Sequence, residues 1–135
     1  VPARVRRLRP GRDVLLVSTG QQTARTLEAA RLLEADGIDA GVLHVPSLKP
    51  VDAEAIAAAA AEVPLVVTTE EHTVHGGLGG LVAEIVTAAV PRRVERIGID
   101  DTWGESAPNA WLLDRHGLTP ERVAARTRDA LARRT

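Results

Sequence analysis

Three short runs of consecutive apolar residues set the strongest limit on how this chain can fold. They are Asp13–Ser18 (DVLLVS), Ala40–Val45 (AGVLHV) and Leu65–Thr69 (LVVTT). A strand with one wet face alternates apolar and polar residues. A run apolar at successive positions needs cover on both faces, which is the signature of a buried parallel strand. The segments between the runs carry helical periodicity. One helix is expected from after Thr19-Gly20 to about Asp36, with Ala24, Leu27, Ala30 and Leu33 on its buried face. Gly37 followed by Ile38 reads as its C-terminal glycine and apolar contact. Asp52 caps an alanine-rich helix that runs to about Glu62 and is closed by Pro64. A third helix leaves the cluster Gly76-Gly77-Leu78-Gly79-Gly80 and reaches Ala89, with Leu78, Val82, Ile85 and Ala89 inward. Val94–Ile99 is a further strand, Pro108–His116 a short helix ended by Gly117, and Thr119-Pro120-Glu121 opens a last helix to about Arg133. Residues 3–8, with their arginines and the following Pro10, suit an edge strand. The expected architecture is α/β, with a mostly parallel sheet and helices on both faces.

Residues 1–135 are expected to form one domain, since two cores would be unusually small at this length. Cys, Met, Phe and Tyr are absent, Trp103 and Trp111 are the only aromatics, and Asn109 is the only asparagine. That removes a cysteine nucleophile, a thiolate metal site and any Phe or Tyr to stack a ring. A chain without methionine that opens on Val1 is expected to be an edge of something longer. Charge is unevenly placed. Residues 1–49 carry eight basic and five acidic side chains, residues 50–91 six acidic and no basic, and residues 92–135 nine basic and seven acidic. The arginines at positions 4, 6, 7, 9 and 12 read as a solvated edge, so no nucleic-acid partner is expected. No apolar run approaches the roughly 18 residues of a membrane span, and no signal peptide is seen. A cytoplasmic location is the expectation.

The glycine cluster is the loudest candidate site. It follows a strand and opens a helix, where phosphate cradles occur. Yet G-x-G-x-x-G fails, because Val82 stands where the third glycine belongs, and no lysine completes a Walker motif. Glu70 and Glu71 precede the loop and argue against a phosphate there. A like-charge contact with a bound anion at about 5 Å costs about 3 kcal/mol at an effective dielectric of about 20, which offsets much of what the helix N-terminus offers. The glycines therefore read first as close-approach positions. Gly20, Glu70, Glu71, His72, His75, Gly76, Gly77 and Gly79, together with Lys49 and Asp52, form a candidate ligand or interface loop set at the strand ends. His72 and His75, with Glu70, Glu71, Asp100 or Asp101, would be a metal site only if a further ligand joined them, and none has motif spacing. A triad from Ser18, Ser47 or Ser106 lacks the G-x-S-x-G elbow. Lys49, the only lysine, suits a turn before Pro50. Trp103 and Trp111 suit either a partner anchor or a core filler.

Taken together, DVLLVSTG (Asp13–Gly20), LKPVD (Leu48–Asp52), VVTTEEHTVHGGLGGLVAE (Val66–Glu84) and IGIDDTWGES…LLDRHGLT (Ile97–Thr119) resemble the C-terminal domain of transketolase-type thiamine-diphosphate enzymes. Deoxyxylulose-phosphate synthases and beta subunits of 2-oxoacid dehydrogenases carry related domains. The resemblance implies a three-layer α/β/α sandwich with a five-stranded mixed, mostly parallel sheet, in which residues 3–8 supply the antiparallel strand. It implies that thiamine diphosphate and Mg²⁺ belong to other domains, because GDG…N and the ring-holding aromatics are missing here. No cofactor-binding, catalytic or metal residue is then expected in this chain, which would be inactive alone. Its partners would be the remaining domains or an N-terminal subunit, in a homodimer or heterotetramer, and an exposed apolar face should mark where they dock. Ala107 stands where the family usually has glycine after the serine of the tail motif. A stand-alone regulatory module taking a small ligand near Gly20, His72 and Gly77 is the alternative from another class.

Overall fold

The computed structural model describes residues 4–46, 51–73, 77–100, 110–115 and 117–133. In chain order the elements are β1 (Arg6–Arg9), β2 (Val14–Ser18), α1 (Gln22–Ala35), β3 (Ala40–His44), α2 (Ala53–Ala60), β4 (Leu65–Thr73), α3 (Gly77–Ala89), β5 (Arg93–Asp100), α4 (Ala110–Arg115) and α5 (Pro120–Ala132). The sheet runs β1-β3-β2-β4-β5. β1 is antiparallel to β3, and every other pair is parallel. This is the five-stranded mixed sheet expected above, with the arginine-rich segment as its antiparallel edge.

The pleat explains the continuous apolar runs. Val14 and Leu16 point to one face and pack with Ala30 and Leu33 of α1 and Val123 and Ala130 of α5. Leu15 and Val17 point to the other and pack with Ile56 of α2 and Leu78, Val82 and Val86 of α3. All four β2 side chains are at most 1% exposed. Each such burial is worth roughly 1.5–3 kcal/mol, so β2 anchors both outer layers. Local chemistry fixes the helix ends. The Asp52 carboxylate accepts the Ala55 N–H at 3.1 Å, a side-chain cap. Gly37 has φ +78°, and the Ile38 N–H reaches the Leu33 carbonyl at 3.0 Å. Gly117 (φ +80°) and Leu118 repeat that closure on α4, with the Leu118 N–H 2.7 Å from the Leu113 carbonyl.

Both sheet edges carry arginines, a usual defence against edge-to-edge pairing. On β1 a register shift between Arg7 and Arg9 sends neighbouring charges to opposite faces. Arg7 then meets Glu62 beyond α2, and Arg9 meets Glu34 on α1. On β5, Arg126 of α5 reaches the Arg96 carbonyl.

Several expectations need correction. The buried face of α1 is Gln22, Thr23, Thr26, Ala29, Ala30 and Leu33, whereas Ala24 is exposed and Leu27 only half-buried. Its first turn lies over polar strand ends, so polar side chains are buried there. β4 continues through Glu70, Glu71, His72 and Thr73 instead of ending at Thr69, because β5 continues beside it. α3 buries Val86 with Leu78 and Val82, while Ala89 is exposed. Among the described residues the one exposed large apolar side chain is Leu8, at 37%. No cluster of exposed large apolar side chains is present among them; the outward positions of α2 and α3 are mostly alanine, with Glu54, Glu84 and Thr87 between them. Among the described residues no helix is long and apolar enough to cross a membrane.

Candidate functional site

The chain leaves β2 through α1 on one face and leaves β4 through α3 on the other. The adjoining carboxyl ends of β2 and β4 are thus a topological switch point, where open α/β sheets form a crevice. Gly20, Glu70, Glu71 and Gly77 lie at or just beyond these strand ends. Lys49, His75 and Gly76 lie outside the described residues, as do Ser47, Asp101, Trp103 and Ser106. His72 is placed on the backbone of β4. Asp52 sits at the start of α2 as its cap.

Glu70 and Glu71 are adjacent in sequence but face opposite layers. Glu70 lies with Val66 and Thr68 on the α3 side, is 3% exposed, and its Oε2 accepts the Gly79 N–H at 2.8 Å. The carboxylate therefore occupies the positive end of the α3 dipole. Gly77 has φ +32°, and a Cβ there would strike the Glu70 carboxylate. A Cβ on Gly79 would stand 2.5 Å from Arg96 Nε and 3.1 Å from Thr68 Oγ1. These glycines are close-approach positions, as expected: the chain's own Glu70 approaches Gly77, and Arg96 and Thr68 approach Gly79. The charge expected to oppose a phosphate at the loop is at the α3 N-terminus in the form of Glu70, while Glu71 faces the other layer.

Glu71 points to α1. Its Oε1 accepts from Arg25 Nη1 at 2.5 Å, and the same nitrogen donates to Gln22 Oε1 at 2.8 Å. Gln22, fully buried, donates from Nε2 to the Leu118 carbonyl at 2.9 Å. Thr26 donates to the Gln22 carbonyl at 2.8 Å, and its hydroxyl lies 2.7 Å from that of Thr69. The Thr23 hydroxyl sits 2.8 Å from both Ser18 Oγ and His44 Nδ1. Ser18 is 0% exposed, and its hydroxyl is engaged with Thr23. It therefore cannot reach a substrate as a triad nucleophile. Among the described residues no three histidine or acidic side chains gather to hold a metal.

Arg25, Gln22, Thr23, Thr26, Thr69 and His44 were not singled out from the sequence. Positions 22, 26, 29, 30 and 33 do share one helical stripe, so polar residues at its start were a usable signal. A separate cleft of about 560 Å³, lined by Glu95, Arg126, Asp129, Ala132 and Arg133, lies at the β5–α5 edge, away from the crevice.

Residues 3–123 match the family model described as transketolase, C-terminal domain. A transketolase family protein of Sinorhizobium fredii, y4mN, is 43% identical over 92% of this chain and 37% of its own length. The 1-deoxy-D-xylulose-5-phosphate synthase of Symbiobacterium thermophilum is 42% identical over 93% of this chain and 20% of its own length. A solved chain described as a split gene transketolase, inactive beta4 tetramer, superposes with a TM-score of 0.88 at 45% identity, covering 98% of this chain and 43% of that one. The chain thus spans between a fifth and under a half of these proteins. Fold, ordered motifs and these likenesses agree: the chain belongs to the transketolase C-terminal domain family.

Proposed function

We propose that residues 1–135 form one domain, the non-catalytic C-terminal domain of a transketolase. The complete enzyme transfers two-carbon ketol units between sugar phosphates, with thiamine diphosphate and Mg²⁺ held by its other domains or an N-terminal subunit. This domain packs against them and supports a cytoplasmic homodimer or heterotetramer. The observation that carries the reading is that the chain's own side chains fill the crevice. Its helix N-terminus holds Glu70, the polar groups on its α1 side bond one another, and its serine is buried. A diphosphate–magnesium group does not fit there, since its negative oxygens would meet the Glu70 carboxylate at the α3 N-terminus. The description of the split-gene chain as an inactive beta4 tetramer supports a part that does not work alone.

The test is a ketol-transfer assay with thiamine diphosphate, Mg²⁺, a ketose phosphate and an aldose phosphate. The chain alone gives no turnover, and turnover appears once the companion part is added. Turnover by the chain alone overturns the reading. The near-equal identity to the synthase supports a second reading, the same domain in a deoxyxylulose-phosphate synthase. Turnover of the assembled protein with pyruvate as donor, and none with a ketose phosphate, selects it.

A further inference from the structure

The strand–glycine–helix segment has the outline of an anion cradle, and one anion is already in it. The Glu70 carboxylate accepts the Gly79 N–H at 2.8 Å within the first turn of α3. Two further donors flank Gly79 itself, while the Oε1 atom of Glu70 accepts no hydrogen bond among the described residues. Thr68 is 1% exposed, and its hydroxyl has no hydrogen-bond partner among the described residues. That hydroxyl lies 3.1 Å from the place a Cβ on Gly79 would take, so it is directed into the turn. The Arg96 side chain passes beneath the same glycine, with Nε 2.5 Å from that place. A helix N-terminus, a buried hydroxyl and a guanidinium are the donors that hold a tetrahedral oxyanion.

We infer that Glu70 is an internal plug: its carboxylate closes an oxyanion cradle built by the α3 N-terminus, Thr68 and Arg96. With Glu70 in place the cradle is shut to phosphate. With the side chain shortened, a phosphate ion takes its position and restores the charge that α3 requires. This is independent of the domain's place in a transketolase, since it concerns this chain's own stability and its response to a free anion.

The experiment measures thermal unfolding of the full chain by tryptophan fluorescence, in inorganic phosphate and in sodium chloride at matched ionic strength. The wild type gives the same midpoint in both salts. Glu70→Ala melts lower in chloride and gains saturably in phosphate, by about 4 °C at ten times the dissociation constant. Glu70→Gln, whose amide still fills the space, melts below wild type and gains nothing from phosphate. Adding Thr68→Val to Glu70→Ala reduces the phosphate gain. The inference is overturned if wild type gains as much as Glu70→Ala, if Glu70→Gln melts with wild type in chloride, or if Glu70→Ala is not rescued. An alanine variant that stays unfolded in both salts counts as not rescued.

Discussion

Two pairs of adjacent like charges sit at opposite ends of the sheet, and the pleat treats them alike. At the carboxyl end, Glu70 faces α3 and Glu71 faces α1. Near the amino end, Arg92 and Arg93 also part. Arg92 donates to the Val63 and Ala61 carbonyls beyond α2 at 2.8 and 3.3 Å, and Arg93 donates to the carbonyls of Ala130 in the last turn of α5 and of Arg133 just after it, both at 2.6 Å. Acid thus meets a helix N-terminus and arginine meets helix C-termini, each matching the sign of the dipole. The pairs differ in depth. Glu70 is buried, while Arg92 is half-buried and Arg93 exposed. Burial decides what each is worth. A buried acceptor that loses its charge leaves a helix end poorly satisfied, whereas carbonyls freed by a lost surface arginine turn to water.

That difference gives the first two predictions. Glu70→Gln keeps the shape and an acceptor but removes the charge, and it should cost about 2 kcal/mol in a urea titration at neutral pH. Arg92→Ala and Arg93→Ala should each cost about 1 kcal/mol, and their effects should add, because they cap different helices on different faces. An arginine variant more damaging than Glu70→Gln would reverse the ranking by depth.

The same contrast marks what could be read from the residues alone. β2, β3, the Asp52 cap and the Gly37 closure depend on chemistry within a few positions, and each appears where the residues place it. The partition of Glu70 from Glu71 depends on β4 continuing past Thr69. That continuation is set by pairing with β5, where Glu70 lies opposite Gly98. The β5 partner is more than twenty residues away, so local periodicity is blind to it. Hence two glutamates placed in a loop read together as a charge that repels an anion, when they are two separate groups, one capping α3 and one bridging to Arg25. The buried face of α1 failed for a related reason. An apolar stripe was assumed to run its whole length, but Gln22, Thr23 and Thr26 cover strand ends that carry Ser18, His44 and Thr69. Only the sheet order reveals that polar neighbour.

On the α1 side of the crevice, Glu71 and Arg25 are partly exposed, at 17% and 28% of their side chains. A pair so placed is screened by solvent and gains about 0.5 kcal/mol. A double-mutant cycle with Glu71→Gln and Arg25→Gln should return a coupling of about that size, shrinking in high salt. A coupling of several kcal/mol would mean that this side of the crevice is as dry as the Glu70 side, and the contrast would fail.

The smallest effect is expected at the sheet edge, where a carboxylate is held entirely by surface arginines. Arg126 Nη2 lies 2.8 Å from Glu95 Oε1, and Arg133 Nη2 lies 3.2 Å from Oε2. The hydrogen bond from Arg126 is the main cause holding the Glu95 carboxyl below its usual range; partial burial opposes it, and the charges of Arg126 and Arg133 add to it. A carboxyl whose folded pKa is depressed stabilises the fold above its unfolded pKa and loses that contribution as pH falls through the folded value. Glu95→Gln should therefore lower the melting temperature slightly at pH 7, and the gap to wild type should close on acidification below the usual carboxylate range. A gap that widened in acid would reverse the sign of this linkage and remove the Arg126 bond as its cause.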